Sequence, residues 1–279
     1  TSYSRGINGI MIDFAALPGD PTADDFQFKV GNDDNPDAWP AAPKPIHITV
    51  RTGEGVGGSD RVAIEGEGPE ICRIDLTGLD CVTFFENVLC IARIIKKRKT
   101  TFDDFKAEVT FTRYRGGMLT DYTSRLHYTS DWIYDNEKKK VVKNITKDIG
   151  GEKHPVKIFF MSKNPHFYQA LNEFPEFIET MAKIEREISS RQHWYIPRGK
   201  VEEAQKSIQT GDIIALATKK EGLDFAHTGL AYKNARGKLR LLHASQNEGE
   251  VILDKELFEY LRLANTHPGI AVARPLEVK

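Results

Sequence analysis

The sequence contains no apolar run approaching the ~18 to 20 residues that a membrane-spanning helix needs, and its first twenty residues show no basic-then-apolar order. No membrane span, signal peptide or anchor is therefore expected in this chain, and a start at Thr1 is what a fragment or a processed form would show. It also lacks an excess of charge. Lys plus Arg number 39 and Asp plus Glu 40, a formal net charge of -1, which leaves no basic footprint for nucleic acid or anionic lipid. Cysteine is scarce: Cys72, Cys81 and Cys90 fall within one short stretch, and at least one must be unpaired. Their spacing of nine residues is too wide for a structural zinc site, and the eight His are scattered from His47 to His267. No metal and no other cofactor is expected. What remains, 40% hydrophobic and 28% charged over 279 residues, is ample for a packed globular core.

The chain changes character near residue 65. The first 66 residues hold six of the 13 prolines and nine of the 22 glycines, and carry five basic against ten acidic side chains. Short alternating stretches at Gly9–Phe14, Asp25–Val30 and His47–Val50, separated by turn residues, predict strands. DDFQFKVGNDDNP followed by VRTGEGVGGSDRVAI resembles strand–turn pieces of β-rich modules in large secreted proteins, but these strands are too few to close a sandwich. The acidic cluster Asp33, Asp34 and Asp37 lacks the glycine and closing glutamate of a calcium loop and reads as a solvated turn. Residues 1–64 are expected to be a β-rich segment and an incomplete module, and residues 65–279 a second domain.

In the second part, Val82–Lys96 places Val82, Phe85, Leu89, Ala92 and Ile95 at helical spacing and ends in a cationic run suited to a helix C-terminus. A second helix is predicted over Thr101–Val109 from a Thr cap, a further helical pattern over Phe167–Ile188 broken at Pro175, and short helices over Lys200–Ser207 and Asp254–Leu263. Strands are predicted at Asp212–Thr218, Ala226–Lys233, Leu239–Ala244 and Gly269–Pro275, with Asn234–Lys238 as a hairpin turn.

Cys81 stands out because it opens the strongly apolar helix, where unpaired N–H groups favour a thiolate and depress a cysteine's pKa. Cys90 falls mid-helix and Cys72 in a loop-like stretch, positions that suit buried hydrophobes. His227 and His243 lie on consecutive predicted strands, near the same level of the hairpin, so that one can act as a base and the other orient it. Each alone reads equally as a half-buried polar residue; together with Cys81 they form a candidate constellation.

The segments GLDCVTFFENVLCIAR, TGDIIAL, HTGLAY and LLHAS resemble the papain-like NlpC-type cell-wall amidases. With YRGG at 114–117 and DYTSRLHYTSDW at 121–132, the likeness narrows to the bacterial N-acetylmuramoyl-L-alanine amidases and spans roughly Glu65–Lys279. The resemblance implies an α+β, papain-like fold: a nucleophile helix packed on an antiparallel sheet, with a helical and loop insert at about 100–200. It implies Cys81 as nucleophile, His227 as general base and then acid, and His243 as the polar third member, cleaving the muramoyl–L-alanine amide through a thioester. Asp80, Arg115, Arg125 and His127 would bind a peptide stem, arginine gripping carboxylates with two hydrogen bonds, while Tyr114, Tyr122 and Trp132 would stack on sugar or peptide. They read equally as core aromatics and a solvated charged face.

The implied partner is peptidoglycan or a muropeptide, and the implied location the cell envelope, periplasm or exterior. A stem-peptide endopeptidase of the same fold and a non-catalytic binding relic are the alternatives. The family's Thr-Pro-Tyr-like segment ahead of the nucleophile is missing, since no tyrosine lies between Tyr3 and Tyr114. A fusion of two incomplete pieces, short of one supporting helix and one cleft wall, is the expectation that follows.

Overall fold

The computed structural model describes residues 9–27, 29, 35–39, 45–53, 56–66, 70, 72–76, 78–263 and 266–278. The chain divides into two compact units, Thr1–Ile71 and Cys72–Lys279.

The first unit is built on an antiparallel sheet of β1 (Gly9–Phe14), β2 (Pro45–Arg51) and β3 (Asp60–Gly66), in the order β1–β3–β2. Asp13 sits directly opposite Arg61, whose Nε and Nη2 donate to its two carboxylate oxygens at 2.7 and 3.0 Å. That hydrogen-bonded pairing, with the Val56 N–H, holds the Asp13 carboxyl down at about 2. The expected strand at Asp25–Val30 is not formed at its start. Ala23–Asp25 is a 3-10 turn, where the Asp25 carboxylate accepts from the Thr22 N–H and hydroxyl. Residues 28 and 30 and the acidic residues Asp33 and Asp34 lie outside the described residues.

The second unit is mixed α+β. Its helices are α1 (Cys81–Lys96), α2 (Phe102–Arg113), α3 (Thr129–Lys138), α4 (Phe160–Lys163), α5 (Gln169–Glu173), α6 (Glu176–Ser190), α7 (Val201–Ala204) and α8 (Leu257–Leu263). Its strands are β4 (Val142–Asn144), β5 (Glu152–His154), β6 (His193–Pro197), β7 (Ile213–Ala217), β8 (Phe225–Lys233), β9 (Leu239–Ser245), β10 (Glu250–Glu256) and β11 (Gly269–Pro275). They form an antiparallel sheet in the order β10–β9–β8–β7–β11–β6–β5, with β4 also on β11. The central β7, IIALA, is buried along its whole length, which is why it reads as one apolar run. Successive side chains point to opposite faces. Ile213 joins Phe84, Phe85, Leu89 and Trp132 on the side of α1 and α3, and Ile214 and Leu216 join Val201, Leu257 and Leu261 on the side of α7 and α8.

A buried charge cluster binds the helices to one another. Glu86 on α1, 1% exposed, accepts from Arg113 Nε on α2 and from Trp132 Nε1 on α3, both at 2.8 Å. Phe85 meets the Trp132 ring edge-on at 5.0 Å. Glu108 accepts in the same way from Arg93 of α1 and from Lys97, the residue that caps the C-terminus of that helix.

Four sequence expectations shift. The second helix runs on to Arg113, because Val109 and Thr112 still face the core. The helical pattern at Phe167–Ile188 breaks into a 3-10 turn, α5 and α6, since Pro175 cannot donate to a preceding turn. Helix Lys200–Ser207 shortens to α7, after a 3-10 turn at Arg198–Lys200. Asp254–Glu256 is the end of β10, paired to β9, and only Leu257 onward is helical.

Gly269 shows how closely β11 and β6 approach: a Cβ there would lie 2.1 Å from the Ile196 carbonyl oxygen. Gly269→Ala is accordingly expected to lower stability by about 3 kcal/mol or more and the melting temperature with it, by overpacking. Unchanged denaturant melting would contradict this contact.

Candidate functional site

The site starts from a helix cap. Asp80 is extended and its side chain accepts from the Val82 and Thr83 N–H groups at 2.9 and 2.7 Å, while the Thr83 hydroxyl accepts from the Asp80 N–H. This cap takes two of the first-turn donors, those of Val82 and Thr83, and not the Cys81 N–H at the helix N-terminus. Asp80, expected at the substrate, is therefore a capping residue, its carboxylate spent on the backbone that presents Cys81.

Thr228, in the middle of β8 and 1% exposed, donates from Oγ1 to the carbonyl oxygen of Cys81 at 2.9 Å. The next residue along the strand is His227. A bulge between Leu216 and Ala217 in the β7–β8 ladder sits beside it, where bulges commonly re-aim a side chain. His227 Nε2 is 2.7 Å from His243 Nδ1, with the two rings nearly perpendicular. His243, 3% exposed, meets the edge of Tyr260 on α8 at 5.9 Å, and its Nε2 lies 3.3 Å from Asp254 Oδ2. Tyr260 in turn stacks over His267, whose Nδ1–H donates to the Ala217 carbonyl. The Tyr260 phenol is raised, first by burial and then by Asp254 and Cys81.

Close packing is needed here as well. A Cβ on Gly229 would fall 2.9 Å from the Cβ of His243 and 2.8 Å from the Leu242 carbonyl oxygen.

The electrostatics differ from expectation at the thiol. Burial pushes the Cys81 thiol up, and the negative Asp80 adds to this, outweighing the hydrogen bonds from Thr228. The expected depressed pKa is not found, and the resting residue is a neutral thiol. No hydrogen bond joins its Sγ to His227 among the described residues. Burial, then the neighbouring His243 and His267, pull His227 down to about 4, so its imidazole is neutral at pH 7. A neutral imidazole and a neutral thiol are the states from which a base and a nucleophile can begin, since proton transfer can accompany attack. Cys72 and Cys90 are buried; Cys90 lies 3.2 Å from the Thr112 hydroxyl and is pushed up to about 12 by burial.

The remaining expected substrate residues separate into two groups. Tyr114 is fully buried among Cys90, Phe105 and Val109, and Trp132, 1% exposed, is held by Glu86, so neither can stack on a ligand. Arg115 is committed to Asp131, donating at 2.7 Å alongside Arg191. Tyr122 and His127 are half-buried and pack ring to ring at 4.4 Å, with His127 Nε2–H donating to the Tyr122 carbonyl. Burial pulls His127 down to about 4. Arg125 is half-buried and makes no ion pair among the described residues.

Sequence reading missed Thr228, Asp254, Tyr260 and His267. The apolar run Val251–Leu253 ahead of Asp254 is the signal that could have marked β10 and so placed Asp254 beside β9. A cavity of about 550 Å³ opens elsewhere, between α4 and α6, and none of Cys81, His227 and His243 lines it. No group of three or more His, Cys, Asp or Glu among the described residues is placed to hold a metal ion.

Residues 59–270 match the family model for AmiA-like proteins, described as N-acetylmuramoyl-L-alanine amidase-like. Among solved structures, an N-acetylmuramoyl-L-alanine amidase from Bacteroides uniformis is 34% identical with a TM-score of 0.70, over 76% of this chain and 90% of that one. A Bacteroides fragilis protein named as a proposed xylanase is 35% identical with a TM-score of 0.69, over 75% of this chain and 91% of that one. The Legionella pneumophila protein LPG0564, 23% identical with a TM-score of 0.58 over 75% of this chain and 81% of that one, shares the fold. A comparison with curated proteins finds no match.

Two imidazoles held neutral make stability depend on pH. The unfolded chain binds protons near the ordinary histidine value of 6.5, whereas folded His127 and His227 resist them down to about 4. Their contribution is full above 6.5 and is lost as pH falls through about 4. The melting temperature should drop across that window, and the drop should be shallower in the His127→Gln, His227→Gln double variant. Equal slopes would overturn the assignment.

Proposed function

The chain belongs to the AmiA-like family of N-acetylmuramoyl-L-alanine amidase-like proteins, and from that membership we propose that it is a cell-wall amidase of the papain-like, NlpC type, using Cys81 as its nucleophile. The observation that carries the reading is the cluster at the start of α1. The Cys81 carbonyl accepts from Thr228 of β8, and the residue that precedes Thr228 on that strand is His227, an imidazole in contact with a second imidazole, His243.

In this reading Cys81 Sγ attacks the amide carbonyl carbon as its proton passes to His227. The oxyanion is met by the Cys81 N–H, which the Asp80 cap leaves open, and by the positive end of α1. The C–N bond breaks as His227 returns the proton to the leaving amine, giving a thioester. Water, deprotonated by His227, then hydrolyses it. His243 holds the imidazole. The substrate is peptidoglycan or a muropeptide, the bond that between the lactyl carbonyl of muramic acid and L-alanine, and the place of action the cell envelope or beyond it.

Residues 65–279 form the catalytic part in this reading, and 1–64 a separate β-rich segment. Arg125, the one arginine among those expected at the substrate that lies on this unit without an ion pair among the described residues, is the residue to grip a stem carboxylate. Glycoside hydrolysis, which uses two carboxylates across the scissile bond, is not favoured by a cluster whose histidines contact Asp254 alone among the described carboxylates.

Cys81→Ala is expected to reduce muropeptide hydrolysis by on the order of 10⁴-fold, read by product mass. Release of a stem beginning at L-alanine supports the amidase, shortened stems make the chain an endopeptidase, and binding without products makes it a relic. Iodoacetamide should label Cys81 faster than the buried Cys72 and Cys90, with a rate that falls in His227→Ala. Uniformly slow labelling would remove Cys81 from the chemistry.

A further inference from the structure

Behind the two histidines stands a carboxylate, presented by an irregular piece of strand. In the β9–β10 ladder Leu253 faces Leu242 while Glu256 faces Arg240, so that Asp254 and Lys255 share the space opposite a single residue. Arg240 clasps this bulge, donating from Nε to the Asp254 carbonyl at 2.5 Å and from Nη2 to the Leu253 carbonyl at 2.7 Å. The Lys255 N–H donates to Asp254 Oδ1 at 2.6 Å, which leaves Oδ2 turned to His243 Nε2 at 3.3 Å. Bulges stand beside active sites where a side chain must be re-aimed. This one aims a carboxylate at the far nitrogen of the histidine pair.

Each imidazole nitrogen in such a chain either donates or accepts, so the protons cannot be placed independently. An ionised Asp254 only accepts, which puts a hydrogen on His243 Nε2. A neutral His243 then carries its lone pair on Nδ1, and at 2.7 Å that lone pair calls for a hydrogen on His227 Nε2. A neutral His227 so protonated has its lone pair on Nδ1, the nitrogen that none of these partners occupies.

We propose that Asp254 is a positioning residue that sets the tautomer of both histidines in series and so makes Nδ1 of His227 the basic nitrogen toward Cys81. The proposal rests on the reading of Cys81 and His227 as nucleophile and base. When the Cys81 proton reaches Nδ1, His227 becomes an imidazolium whose Nε2–H stays on His243. Asp254 faces that cation across His243. The other titratable groups around the pair are Tyr260 and His267, and Asp80 stands beside the Cys81 thiol. Among the described residues Asp254 is the only carboxylate paired with either ring.

The test uses the full chain labelled with ¹⁵N-histidine. Long-range ¹H–¹⁵N spectra near pH 7 assign the tautomers, and Cys81 alkylation by iodoacetamide is followed against pH in the wild type, Asp254→Leu and His227→Ala. The wild type is expected to carry hydrogen on Nε2 of both rings. In Asp254→Leu, His227 should populate the Nδ1–H form and Cys81 should label at least tenfold more slowly at pH 7 with the melting temperature little changed. A wild-type His227 with hydrogen on Nδ1 overturns the proposal even if Asp254→Leu fails to fold. Unchanged tautomers and rate in a folded Asp254→Leu also overturn it. Those outcomes remain separate from failure of the base assignment, in which His227→Ala leaves Cys81 labelling untouched whatever the tautomers.

Discussion

Thr228 Oγ1 donates to the carbonyl oxygen of Cys81 across 2.9 Å, joining residues 147 apart in sequence, and the geometry of the site depends on that bond. On one side, Asp80 closes the helix and fixes where its first turn begins. On the other, Thr228 stands on a strand buried between helices and unable to slide without moving Leu230 out of the core it shares with Phe84 and Phe85. A shift of one residue in β8 would turn Thr228 away from the helix and His227 away from His243. The register that packs the apolar core is therefore the same register that assembles the polar cluster, and neither can be adjusted alone.

Much of this is legible in the sequence. The helical apolar pattern after Cys81, the uninterrupted run of β7 and the turn at Asn234–Lys238 all rest on local chemistry, and the elements form close to where the pattern puts them. What stays illegible is fixed by long-range partners. Tyr114 and Trp132 look like ligand-stacking aromatics because sequence cannot say that the apolar cluster around Val109 encloses the one and that Glu86 and Phe85 hold the other. Arg115 looks free because Asp131 is sixteen residues away on another helix. Asp254 suits a helix start because acidic residues favour that position; pairing with β9 overrides the local preference. The thiol's acidity escapes sequence reading for the same reason, since a helix N-terminus is a local cue and burial is not.

Under the proposed function, the resting electrostatics describe a guarded nucleophile. With the thiol raised by burial and the imidazole lowered by it, the separated ions are disfavoured until something replaces the lost solvation. In that proposed mechanism a bound amide whose carbonyl oxygen turns to the Cys81 N–H supplies that replacement as charge develops, so reactivity is coupled to occupancy of the site.

Glu86, Arg113 and Trp132 hold α1, α2 and α3 together through one buried carboxylate, which also limits how far α1 can rotate about its axis. Loss of the arginine strands the carboxylate in the core; loss of the carboxylate strands both the guanidinium and the indole N–H. No single replacement at any of the three positions is a small step. Across an aligned set of relatives these positions should behave as one inherited character, kept whole or exchanged together, and a lineage that crosses between solutions does so by compensation rather than by drift.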